Sequence, residues 1–189
     1  VAGLVVAAIS GCGQGGDPPT AQQRQRAQQA GFDADLVYVT DLKGYSAAAG
    51  ASGVYGDAGY QQIYTSDKGD DLRLTVERRT IDAASCAKLP IPGTEPATTA
   101  TCTKDGDGWR RVSGDRQEYA IAHDGVLVRA SDLTAATSPD FIRSAATKAR
   151  PATSDELEAL LPSAPENVQR GDIHGDNAPD NSVPDGAGG

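Results

Sequence analysis

The chain carries few side chains of the kinds that do acid–base or covalent chemistry, and their spacing gives that chemistry little to work with. It has two histidines, His123 and His174. His123 precedes Asp124-Gly125, a hairpin signal between two apolar-alternating runs, which places it at the rim of a sheet and leaves Asp124 to the turn rather than to an Asp–His dyad. His174 stands in a polar C-terminal stretch with nothing to hold it in a reacting geometry. A serine-nucleophile elbow, a zincin helix, a phosphate loop and a dinucleotide turn in strand-to-helix context are all missing from the sequence. Asp105-Gly106-Asp107-Gly108 begins like a calcium loop, yet the later ligand positions hold Trp109 and Asp115-Arg116, so a turn between strands is expected and no metal. What remains is aromatic. Four of the six tyrosines, Tyr45, Tyr55, Tyr60 and Tyr64, fall between Gly44 and Tyr64 among Gly, Ala and Ser. Tyrosine gives broad amphipathic contact with few rotors, and Gly and Ser adapt the backbone, which is the composition of recognition loops. Tyr45, Tyr55 and Tyr60 are therefore the candidate ligand-binding residues. Tyr60 and Tyr64 share one strand face and also suit a core.

The N-terminal segment follows a different logic. Val1 to Ile9 is apolar or small and too short to span a bilayer, and it runs into Ile9-Ser10-Gly11-Cys12 and then a Gly/Gln/Asp/Pro stretch. Ile9 to Cys12 resembles the lipobox of bacterial lipoproteins. That resemblance implies cleavage before Cys12, lipidation of its sulfur, and a protein anchored at the extracytoplasmic face of the cell membrane. At about 0.8 kcal/mol per buried CH₂, two or more acyl chains hold where one is marginal. Basic residues, which such leaders carry ahead of the apolar run, do not precede it in this sequence. Residues 1–11 are thus expected to be a signal peptide and 12–31 a lipid-anchored flexible tether, Gly/Pro-rich and then Gln/Arg-rich with only Ala as apolar content. With Cys12 given to the lipid by the resemblance, Cys86 and Cys102 are left as the disulfide pair of an exported chain. The composition, with 12 Arg against 5 Lys, resembles that of exported actinobacterial proteins.

The elements that must position these residues are legible from periodicity. Leu36 to Thr40 is a β-branched and aromatic run, Tyr60 to Thr65 alternates, and Leu72, Leu74 and Val76 alternate with Arg73, Thr75 and Glu77, with Asp67 to Asp70 as the loop between the last two. Trp109 to Ser113, Gln117 to His123 and Val126 to Ser131 form further strands, and a two-residue turn pairs Tyr119 with Ala130 and Ile121 with Val128 on one core face. Ser138-Pro139 opens a helix carrying Phe141, Ile142, Ala145 and Ala146. Thr153 and Glu156 form a capping box for a second helix with Leu157, Leu160 and Leu161. The expected fold class is α+β: an antiparallel sheet of about five to seven strands with the C-terminal helices packed on one face, spanning residues 32–162. Residues 163–189, acidic and almost without apolar side chains, are expected to be a disordered tail.

Composition bounds the partners. The net charge is −9 and there is no basic stripe, which excludes nucleic acid as a partner. No run approaches the length of a spanning helix. The expectation is a non-catalytic binding or accessory domain without a cofactor, held to the membrane by its lipid and meeting a protein or cell-wall partner. An envelope hydrolase using acidic residues and a structural spacer are the alternatives; two carboxylates facing one another in a cleft would favour the hydrolase.

Overall fold

The computed structural model describes residues 16–94, 98–132 and 137–162, so the leader, Cys12 and the 163–189 stretch lie outside the described residues. Nine strands are described: β1 (Tyr38–Val39), β2 (Tyr45–Tyr55), β3 (Gly59–Ser66), β4 (Asp71–Arg78), β5 (Thr101–Asp105), β6 (Gly108–Ser113), β7 (Arg116–His123), β8 (Val126–Asp132) and β9 (Arg150–Pro151). Three helices accompany them, α1 (Ala21–Gln29), α2 (Pro139–Lys148) and α3 (Ser154–Leu160). Seven strands form one antiparallel sheet in the order β2-β3-β4-β8-β7-β6-β5, and β1 pairs with β9 as a separate ribbon. The class is α+β as expected. The strand count exceeds the expected five to seven because Tyr45 to Tyr55 is extended and because β1–β9 stands outside the sheet.

The sheet owes its centre to alternation. Leu72, Leu74 and Val76 of β4 are at most 1% exposed and lie side by side with Tyr119, Ile121, Val128 and Ala130 on one core face of the sheet. The β7–β8 hairpin closes on Asp124 and Gly125 with φ of 50° and 79°, the two left-handed residues that a tight hairpin turn matching the strand twist needs. His123 pairs with Val126 there and is exposed at the rim. Gly106-Asp107 closes β5 on β6 with Asp105 opposite Gly108, so the calcium-like segment is a turn. Helix α2 starts under the Ser138 cap, whose hydroxyl accepts the Phe141 N–H at 3.3 Å, and lays Ile142, Ala145 and Ala146 on the sheet.

At one end of the same face a second cluster gathers Ala27, Phe32, Val37, Tyr60 and Leu157 from α1, β3, α3 and the chain between them. Here the tether expectation needs correction, because Ala21 to Gln29 is a docked helix. Thr20 and Gln23 cap it reciprocally, Ala27 is fully buried, and the Gln23 side chain donates to Ser154 O at 2.9 Å and to Glu158 at 3.1 Å. Arg26 adds an ion pair to Glu158 at 2.5 Å. A helix with only alanine as apolar content shows no hydrophobic face; it docks by close approach and polar fastening, which periodicity does not detect.

Helix α3 carries a pH-dependent fastening. Two N–H groups of Arg150 reach the Glu156 carboxylate at 2.8 Å each, and Thr153 N–H adds a third donor at 2.8 Å. These donors, with Arg150 the largest, hold the Glu156 carboxyl at about 2, below its ordinary 4.5. A depressed carboxyl stabilises the fold fully above its unfolded value and loses that contribution as pH falls through the folded one. The urea midpoint is therefore expected to fall between about pH 4.5 and pH 2 more steeply for the wild type than for Glu156→Gln. Parallel curves for the two proteins would contradict the assignment.

Candidate functional site

The sheet's second face is buried as well, by chain rather than by helices. After β4 the segment from Arg79 to Thr94 crosses this face, makes a single 3₁₀ turn over Cys86–Lys88, and returns through Thr98 to Ala100 into β5. Leu89 packs on Ala120 and Leu127. Cys86, fully buried, is joined to Cys102 at an S–S distance of 2.03 Å.

Beneath this strap lies a layer of charge. Arg111, Glu118, Ser131 and Arg73 sit side by side across β6, β7, β8 and β4, and Arg129 is opposite Thr75 in the next row. Arg111 and Glu118 have no exposed side-chain surface and Arg129 has 1%. Arg111 donates to Glu118 Oε1, to Leu89 O, and to Cys86 O at 3.2 Å. Arg129 donates to Thr75 Oγ1 at 3.3 Å, to Pro90 O at 3.2 Å and to the Tyr55 hydroxyl. Two guanidinium groups thus bond three carbonyls of a segment that has no periodicity of its own. Burial pushes the Glu118 carboxyl above its usual range, opposed by the charges of Arg129 and Arg111. Burial likewise pulls Arg111 down, whereas Arg129, buried between Glu118, Tyr55 and Glu77, is carried up.

The candidate tyrosines do not converge. Tyr60 is 1% exposed with its ring 5.0 Å from that of Phe32, so it is core and not a ligand-binding residue. Tyr45, expected in an irregular segment, begins β2 half-buried with its ring 4.8 Å from Phe141. Tyr55 ends the same strand, on the opposite face, with the Arg129 guanidinium 5.3 Å from its ring centre. The Gly44–Tyr64 segment is a β2–β3 hairpin whose register breaks between Ala47 and Ser52, not a free loop. Its small residues extend along a strand edge, where pairing to β3 supplies the order that their side chains do not.

Of the three candidate tyrosines, Tyr55 alone borders a cavity among the described residues. Three hollows adjoin at this end of the sheet: one of about 470 Å³ beside α1, one of about 240 Å³ at the β2–β3 turn, and one of about 430 Å³ lined by the strap itself. Ala58 borders the first two and Arg79 the last two. In the outer hollows Arg24 pairs with Asp35, and the Asp82 carboxylate takes the Ser85 N–H at 2.7 Å. The middle cavity differs. Leu36, Tyr55, Asp57, Gly59, Glu77 and Arg79 are among its walls. Gly59 is required there, since a Cβ would fall 2.5 Å from Val76 O and 2.7 Å from Tyr55 O. Glu77 Oε2 meets Arg79 Nε at 3.2 Å, while its buried Oε1 has no hydrogen-bond partner among the described residues and stands 3.8 Å from Arg129 Nη2. The Tyr55 hydroxyl accepts from that same Nη2, which leaves its own proton free to donate. Glu77 Oε1 is itself sealed from that space, beside Arg129. Glu77, Asp57 and Arg129 were missed from sequence; for Glu77 and Arg129 the available signal was charge at the polar phase of strands whose apolar phase is buried, and Asp57, in the turn, offered none. Among the described residues no group of three or more metal-ligating side chains is found. Comparison with protein-family models, with curated proteins and with solved structures finds no match for the chain.

Proposed function

We propose that the protein is a lipid-anchored, extracytoplasmic binding domain of the cell envelope that does not turn over its ligand. The observation that carries this reading is the strap, an aperiodic segment fastened over buried charge by Cys86–Cys102, a pair suited to an oxidising compartment. Lipidation at Cys12 supplies the anchor in this reading, and the docking of α1 on the domain supports a short connection between the two. Cys12→Ala, expressed with a complete leader, is expected to shift the protein from the membrane to the soluble fraction. Unchanged fractionation would remove the anchor from the proposal.

The hydrolase alternative keeps one specific observation, since Asp57 and Glu77 border the same cavity. Binding is favoured because Glu77 is committed to Arg79 and faces Arg129 rather than an apolar wall of the kind that equips a carboxyl as a general acid.

A further inference from the structure

We propose that the domain rests against the lipid headgroup layer on one defined surface, the patch formed by Gly16, Asp17 and Pro18 with Thr153 and Asp155. The proposal deepens the anchored reading above and rests on lipidation at Cys12. Its first support is the point at which the chain becomes fastened. A Cβ on Gly16 would stand 3.0 Å from the Thr153 methyl carbon, so the backbone is seated against that residue, and Asp17 O accepts the Ser154 N–H at 2.7 Å. Thr20 then caps α1, whose Gln23 is bonded to Ser154 and Glu158. The chain is thus held to the domain from Gly16 onward.

The second support is the length left over. Three residues separate Cys12 from Gly16, and even a fully extended chain crosses that interval in at most about 14 Å. An acylated Cys12 lies at the bilayer surface, so Gly16 and the residues packed on it stand within about that distance of the headgroups. Gly16, Asp17, Pro18 and Asp155 are exposed there. Two of the four are acidic, so the short connection makes this contact and attraction to anionic lipid does not. The sheet then sets what faces away. Leu157 of α3 and Ala27 of α1 pack with Tyr60 on the helical face, whereas the strap crosses the other, and each packed layer adds about 10 Å. The strap and its disulfide are therefore turned from the lipid, and a partner approaching from the wall meets them first.

The test uses the full chain, expressed with a complete leader and reconstituted into phosphatidylcholine vesicles that carry a dansyl-headgroup lipid. Energy transfer from tryptophan to dansyl reads the distance to the headgroups. Trp109, the only tryptophan in the sequence, stands on the strap face, opposite the Ala120 that packs on Leu89. It reports from the far side in the wild type, and Trp109→Phe combined with Asp155→Trp reports from the patch; Asp17→Trp replaces Asp155→Trp if that variant fails to fold. Transfer is expected to be roughly twofold or more greater from the patch and to persist in about 0.5 M salt, which screens exposed charges. About twenty Gly/Ser residues inserted after Gly13, with a root-mean-square span of ~25–30 Å, are expected to remove most of that excess. Equal transfer from the two positions, greater transfer from Trp109, loss of the excess in salt, or an excess that survives the insertion would overturn the proposal and leave the anchor standing. Protein that carries no lipid and does not float with the vesicles would overturn the anchor and the orientation together, so the two failures are told apart.

Discussion

Replacing Glu118 with leucine is expected to lower the free energy of unfolding by about 3–5 kcal/mol, the cost of breaking a buried ion pair by removing one partner. The reason is arithmetic of charge beneath the strap. Glu118 is the only carboxylate that meets both Arg111 and Arg129 among the described residues, and all three are at most 1% exposed. Without it, Arg111 retains only the carbonyls of Cys86 and Leu89, neutral acceptors for a fully desolvated cation. Changing Arg111 and Glu118 to leucine together removes the charge with its partner, and is expected to cost less than the two single losses added. Urea titration of the four proteins reads the cycle directly. A loss below about 1 kcal/mol for Glu118→Leu would mean that water or another group satisfies the arginines, and the strap would then need another explanation.

The sequence disclosed what depends on period and left hidden what depends on pairing across distance. Leu72, Leu74 and Val76 announce a strand because burial on one face imposes a period of two, and Asp124-Gly125 announces a turn because its backbone requires φ above zero. The same alternation sets Arg73, Thr75 and Glu77 on the other face, where polar side chains ordinarily meet solvent. They are covered instead because a segment without periodicity crosses them, and no local pattern records a covering that depends on Arg111 and Arg129 reaching carbonyls 22 and 39 positions away. Docked α1 was hidden likewise, since its fastening to Ser154 and Glu158 spans more than a hundred residues. The candidate site follows this division. Tyr55 was marked by its type among small residues, whereas Glu77 and Arg129 stand two and three strands away from it in the sheet, and Arg129 reaches its hydroxyl only through a long side chain.

The disulfide and the buried arginines are expected to act as one fastening rather than two. Cys86 and Cys102 are 16 positions apart, and a crosslink closing a loop of that length is worth about 3 kcal/mol in the chain-entropy account, so the double change to serine is expected to cost roughly that amount. Arg111 lies directly opposite Cys102 in the sheet and donates to Cys86 O at 3.2 Å, so it grips both ends of the crosslink. Neighbours that share a partner couple, by about 0.5–3 kcal/mol in double-mutant cycles, and Arg111→Leu combined with the serine pair is expected to depart from additivity by an amount in that range. Access gives a second reading. Cys86 is fully buried and Cys102 half-buried, so lifting of the strap opens the second sulfur to attack and should speed thiol release under dithiothreitol. Arg111→Leu should then speed reduction well below the urea concentration that unfolds the domain. Reduction at an unchanged rate in a folded Arg111→Leu protein, with strictly additive stabilities, would show that the crosslink holds the strap without help from the charge beneath it.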